Sequence, residues 1–97
     1  MLKSYRKKID KIDEEIKELF LKRLDIVTDV AEYKKEHHLK VSDASREEEL
    51  ITNLTKDIKD AKIKKLYIAY LEHMMLLSKE YQKDIIKKET ESENEKK

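Results

Sequence analysis

One arginine, Arg23, interrupts an otherwise apolar pattern near the N-terminus. The apolar residues around it recur at alternating intervals of three and four: Leu2, Tyr5, Ile9, Ile12, Ile16, Leu19, Ile26, Val30 and Tyr33. That spacing puts them on one face of a helix together with Arg23. A guanidinium on a buried face is costly unless an anion pairs with it. Arg23 therefore has either a structural or a binding role. In the first case it forms a buried ion pair or sets the register of a coiled coil. In the second it belongs to a site for an anionic ligand.

Further polar residues lie beside the apolar stripes or at the start of helix 2, and they are Arg6, Lys34, Arg46, Glu47, Ser78 and Gln82. Lys34 follows Arg23 by eleven residues, which is close to three helical turns, and so shares nearly the same face. Arg6 lies about 25 Å along the helix from Arg23, so it reaches the same small ligand only across a dimer. Three arginines and one lysine predict a ligand with more than one carboxylate. Such a site suits chemistry that depends on electrostatic placement more than on proton transfer.

Each of these residues also has a structural interpretation. Lys34, Arg46 and Arg6, taken singly, are typical of solvated surface cations. Ser78 and Gln82 are spaced so that they can satisfy each other's hydrogen bonds. Glu47 stands in a run of three glutamates that favours a helix N-terminus. The tyrosines and methionines are interpreted as core residues.

The composition indicates a helical protein and excludes several classes of function. The 97 residues include no Gly, Pro or Cys, and 46% are charged. All-β folds lack their usual turn residues here, and neither disulfides nor thiolate metal sites can form. The histidines are not spaced as a ligand set, so we expect no metal and no cofactor. A net charge of +1 and the absence of an apolar segment favour a cytoplasmic protein with no nucleic-acid or membrane partner.

The hydrophobic periodicity predicts three helices in one domain, residues 1–88, followed by a disordered polar tail, residues 89–97. Helix 1 is predicted over residues 2–37, helix 2 over about 45–58 and helix 3 over about 62–88. Helix 2 begins either with a Ser45–Glu48 capping box or with Asp43 as its N-cap. The predicted core stripe of helix 3 contains Ile63, Tyr67, Tyr70, Met74, Leu77, Tyr81 and Ile85.

The length of helix 1 predicts a homodimer or a larger oligomer. About 35 residues at about 1.5 Å each span roughly 50 Å. A compact chain of this size has a radius of gyration of only about 13 Å. The helix must therefore project beyond its own chain, and its apolar stripe needs a second chain to cover it.

Several segments, in this order and spacing, resemble the all-helical (AroQ-class) chorismate mutases. They are RKKIDKIDEEI at 6–16, KR at 22–23, VAEYKK at 30–35, DASREEEL at 43–50 and SKEYQ at 78–82. The resemblance covers about residues 2–85. It implies an all-α intertwined homodimer of three-helix protomers, and an isomerase of the shikimate pathway that converts chorismate to prephenate for phenylalanine and tyrosine biosynthesis.

The resemblance also implies a role for each polar residue. Arg23 would bind one substrate carboxylate and Arg6, from the partner protomer, the other. Lys34 would contact a carboxylate and the ether oxygen of the breaking bond, and Gln82 would donate to the same oxygen. Glu47 would accept a hydrogen bond from the ring hydroxyl, and Arg46 and Asp43 would help to shape that end of the site. Ser78 would assist in binding a carboxylate.

Two other functions remain open from the sequence. One is an isochorismate-pyruvate lyase, an enzyme whose fold resembles this one and which uses a similar cationic site. The other is a catalytically silent helical dimer that serves as a regulatory or interaction module. Eight polar positions of matching type argue against a silent protein, and the products formed from chorismate and isochorismate distinguish the two enzymes.

Overall fold

The computed structural model of the chain describes the backbone of residues 1–95 and the side chains of residues 1–88. It contains α1 (Leu2–Glu36), α2 (Ala44–Thr55) and α3 (Ala61–Glu95), and no strand within the described residues. The all-α, three-helix prediction is thereby confirmed. Helix α3 continues beyond the boundary predicted at residue 88. The predicted polar tail, 89–97, lies outside the residues whose side chains are described.

Helix α1 ends in a motif that turns the chain back over its last turn. The N–H of Leu39 donates to the carbonyl of Lys34 at 2.8 Å, and the N–H of His38 donates to the carbonyl of Lys35 at 3.3 Å. This is the hydrogen-bond pattern of a Schellman motif, which needs a left-handed residue after the helix. His38 takes that place with a φ of 53°. A histidine therefore stands where glycine is the usual choice, at a modest conformational cost.

Aspartates cap the two other helices. The Asp43 carboxylate accepts from the N–H of Arg46 at 3.1 Å, which makes Asp43 the N-cap of α2 rather than Ser45. Such a cap stabilises a helix by about 1 kcal/mol. The Asp60 carboxylate accepts from the N–H groups of Lys62 and Ile63 at 2.9 and 3.1 Å. Asp60 thus fixes the start of α3 in a connection that contains no glycine.

Helix α3 is the centre of the chain, because α1 and α2 each pack against it and not against one another within the described residues. The buried face of α3 carries Leu71, Met75, Ser78 and Gln82. Val27 and Ala31, near the C-terminal end of α1, and Thr55, the last residue of α2, complete this core. The core is small and lies beside α2 and the second half of α1.

The core stripe predicted for α3 was wrong for the single chain. Its members are exposed or half-buried: Ile63, Tyr67, Tyr70, Met74, Leu77, Tyr81 and Ile85. Helix α3 has two neighbouring stripes at heptad spacing, and the one that includes Ser78 and Gln82 faces the core. The more apolar stripe is not part of that buried face, and Tyr67, Tyr70 and Met74 from it line a cavity.

The chain is elongated, and its N-terminal part is uncovered. Its principal extents are 62, 31 and 15 Å, and its radius of gyration is 17.5 Å, against about 13 Å for a compact chain of this length. Residues 1–22 are all exposed, including the apolar stripe of α1. Among the described residues, no helix combines the length and apolarity that crossing a membrane requires.

Candidate active site

Most of the predicted site residues line one cavity. It has a volume of about 430 Å³ and lies between α3, α2 and the second half of α1. Seven of the eight predicted residues line it: Arg23, Lys34, Asp43, Arg46, Glu47, Ser78 and Gln82. The eighth, Arg6, lies on the exposed N-terminal part of α1 and does not line it. Its volume is in the range of small-molecule sites.

The charged residues around the cavity favour an anionic ligand. The cationic residues are Arg23, Lys34, Arg46 and Lys79, and the acidic residues are Asp43 and Glu47. Four cations and two carboxylates leave two positive charges in excess. A ligand with two carboxylates would balance that excess.

Arg23 is the residue whose charge most needs a ligand. It is half-buried and lines this cavity and two smaller apolar ones beside α3. Among the residues with described side chains, none forms an ion pair or hydrogen bond with its guanidinium. Glu47, a carboxylate that lines the same cavity, pairs with Lys79 and not with Arg23. A half-buried guanidinium without a protein partner favours the ligand interpretation over the structural ion pair.

The end of α1 holds the Lys34 ammonium in place. Lys34 Nζ donates to the carbonyl oxygen of Val41 at 2.9 Å. The Schellman motif directs the chain back towards α1, and Val41 lies seven residues beyond Lys34 on the returning segment. An ammonium has three donors, so two remain for a ligand. The half-buried Lys34 is thus oriented before any ligand binds.

Ser78 and Gln82 form a buried polar pair on α3. Gln82 Nε2 donates to Ser78 Oγ at 3.4 Å, and the two residues are 6% and 8% exposed. Gln82 Oε1 is buried and has no hydrogen-bond partner among the described residues. A buried amide oxygen without a hydrogen bond is costly. We therefore expect Gln82 Oε1 to gain a hydrogen-bond donor in the ligand-bound state.

Glu47 is held by a residue that the sequence did not single out. Lys79 Nζ lies 2.9 Å from Glu47 Oε1 and joins α3 to the first turn of α2. Lys79 follows Ser78 directly in the sequence. A sequence pattern, however, cannot reveal which carboxylate of another helix lies opposite Lys79. The one available signal for this ion pair was the glutamate predicted at the start of α2, close to the cationic site.

Asp43 and Arg46 lie at the rim of the cavity. The Asp43 carboxylate is engaged as the N-cap of α2. Arg46 is exposed, and its Nη1 lies 3.4 Å from Glu49 Oε1. An exposed pair of this kind contributes little to stability, so Arg46 can exchange Glu49 for a ligand at small cost.

Two tyrosines that were interpreted as core also line the cavity. The rings of Tyr67 and Tyr70 are stacked with centroids 5.8 Å apart. Tyr67 is half-buried and Tyr70 is exposed in the single chain. With the remaining apolar lining, Val41, Leu50, Leu54, Leu71, Met74 and Met75, they form a wall suited to a carbon ring.

No group of three or more His, Cys, Asp or Glu side chains within the described residues is placed to hold a metal ion.

The fold and the cavity define an all-helical protein with a cavity in which cationic side chains outnumber acidic ones. The family described as chorismate mutase type II matches residues 5–83 of the chain. The chain belongs to this family. The resemblance inferred from the sequence segments is thereby confirmed. No match was found among curated proteins or among solved structures.

Proposed function

We propose that the chain is a chorismate mutase, which rearranges chorismate to prephenate in phenylalanine and tyrosine biosynthesis. The observation that carries the proposal is the half-buried Arg23 without a protein partner, in a cavity lined by six more of the polar residues expected at such a site. The reaction is an intramolecular Claisen rearrangement, in which one C–O bond breaks and one C–C bond forms. It needs no covalent intermediate and no cofactor.

The first task of the site is to hold the substrate in its reactive conformation. Chorismate carries two carboxylates, one on the ring and one on the enolpyruvyl group. We propose that Arg23 binds one and Arg6 of a second copy of this chain the other. Fixing both carboxylates holds the two carbons that will bond close together. The entropic cost of reaching this conformation is then met by binding and does not add to the barrier of the reaction.

The second task is to stabilise the ether oxygen as negative charge grows on it. Lys34 and Gln82 are the proposed donors. Lys34 has two N–H groups beyond the one that binds Val41. The hydroxyl of Ser78 can donate as well as accept. If the Gln82 amide turns by 180°, its oxygen accepts from this hydroxyl and Nε2 is directed to the ligand. Donors placed before the reaction act most strongly on charge that develops in the transition state.

The remaining residues fit the ring end of chorismate. Glu47 is proposed to accept from the ring hydroxyl, and Arg46 and Asp43 to shape this end. The stacked tyrosines and the leucines of the cavity wall would contact the ring. The cytoplasmic location expected from the sequence stays a prediction.

A second copy of the chain is the proposed cover for the exposed stripe of α1. Large apolar residues such as Leu2, Ile9, Ile12 and Leu19 are more than half exposed in the single chain. A continuous apolar surface of this length marks an interface. Arg6 lies one residue after Tyr5 of the same stripe, so an intertwined homodimer would carry Arg6 to the cavity of its partner.

Mixing two inactive variants tests this shared site. We expect Arg6→Ala and Lys34→Ala chains each to have little activity alone. After subunit exchange, a heterodimer has one site with both Arg6 and Lys34 intact and one site that lacks both. The heterodimer should therefore recover up to about half of the activity of a wild-type dimer. Sedimentation should give a dimer for each chain. A stable monomer, or no recovery after demonstrated exchange, would contradict the proposal.

The proposed reaction is tested by offering the protein chorismate and isochorismate separately. We expect loss of chorismate with formation of prephenate, and no comparable release of pyruvate from isochorismate. Pyruvate from isochorismate without prephenate from chorismate would establish the lyase instead. Turnover of neither substrate by the folded dimer would favour a silent helical module.

A further inference from the structure

The ion pair between Lys79 and Glu47 links two helices at the edge of the cavity. Lys79 Nζ lies 2.9 Å from Glu47 Oε1, and the two side chains are 27% and 29% exposed. Partial burial reduces the screening that weakens fully exposed pairs. The pair therefore limits the orientations open to the Glu47 carboxylate.

The surroundings of Glu47 increase its dependence on Lys79. A second cavity of about 370 Å³ lies on the other side of the pair and is lined by Glu47, Glu48 and Glu72. Lys79 is the one cationic residue among those that line it. Without Lys79, that cavity would be lined by three carboxylates, including Glu47, and by no cation.

The pair uses only one oxygen of Glu47. Within the described residues no hydrogen bond is formed by Oε2, so this oxygen remains available as an acceptor. We infer that Lys79 is a positioning residue, which holds Glu47 so that its free oxygen accepts the hydrogen bond of the substrate's ring hydroxyl. The inference rests on the proposed function. It adds a residue that acts through Glu47 and not by touching the substrate.

A double-mutant cycle tests whether Lys79 acts through Glu47. We expect Lys79→Met to lower kcat/KM for chorismate roughly tenfold, the loss expected from one charge-assisted hydrogen bond. In the Glu47→Gln background, the same substitution should change kcat/KM less than about twofold, because no carboxylate remains to be positioned. Lys79→Arg, which keeps the charge, should recover most of the activity.

Lys83→Met is the matched control. Lys83 is exposed and lies one turn further along α3, and it does not line the cavity. It should leave kcat/KM unchanged, and thermal unfolding should show that all variants remain folded.

Two results would overturn the role of Lys79. One is wild-type kcat/KM for Lys79→Met. The other is an undiminished tenfold loss in the Glu47→Gln background, which would mean that Lys79 contacts the substrate directly. Absence of prephenate with the wild-type protein would instead overturn the proposed function and this role with it.

Discussion

Replacing Lys34 by alanine is expected to lower kcat for chorismate by about a thousandfold. The ammonium is the one cation proposed to contact the oxygen on which charge develops, and such interactions are stronger in the transition state than in the ground state. The loss should therefore appear in kcat and not only in KM. Steady-state rates of prephenate formation measure both.

Lys17→Ala is the control for Lys34→Ala, because Lys17 lies on α1, is exposed and does not line the cavity. It should retain wild-type activity. Loss of Lys34 also removes its hydrogen bond to Val41, at a cost of about 1 kcal/mol in the free energy of unfolding. That cost is small enough for the helices to persist, as circular dichroism can show. A kcat within tenfold of wild type for folded Lys34→Ala protein would exclude Lys34 as the main donor.

Replacing Arg23 by alanine is expected to lower kcat/KM by at least about a hundredfold, since it removes one partner of a desolvated charge pair with the substrate. Stability should be unchanged or raised, because no described residue loses an ion-pair partner. Arg23→Lys should recover only part of the loss, since an ammonium cannot bind a carboxylate through two parallel N–H groups. A loss of activity that follows unfolding in Arg23→Ala would contradict this account.

Much of the fold followed from the hydrophobic period. The spacing around Arg23 predicted a helix to residue 37, and α1 ends at Glu36. Helix α2 was predicted to reach about residue 58, but it ends at Thr55. The hydrophobic period did not predict this boundary, because the end of a helix depends on local hydrogen bonds. Asp60 binds two N–H groups of the first turn of α3 and fixes that boundary. Single-chain periodicity does not reveal such contacts.

The faces of the helices were harder to predict than their extents. Apolar residues of α3 lie at heptad spacing on two adjacent stripes, and the sequence favoured the more apolar one. The structure buries the stripe with Ser78 and Gln82 within the chain. A sequence does not state which stripe packs within the chain and which stays exposed, since both satisfy the same period.

The sequence pointed to most of the polar residues that line the cavity, but not to the contacts that they make there. Arg23 and Lys34 share one helix, so helical geometry alone placed them together. The pairing of Glu47 with Lys79 depends on how α2 packs against α3, and no spacing rule covers it. The anchoring of Lys34 by Val41 likewise depends on His38 taking a left-handed conformation.

The central claim is that the partner of Arg23 is a carboxylate of the substrate. Calorimetric titration with an unreactive bicyclic ether that carries two carboxylates, a mimic of the cyclic transition state, tests it most directly. We expect one molecule bound per protomer of the wild-type protein, and binding at least about a hundredfold weaker to folded Arg23→Ala protein. Equal affinity for both proteins would contradict the claim.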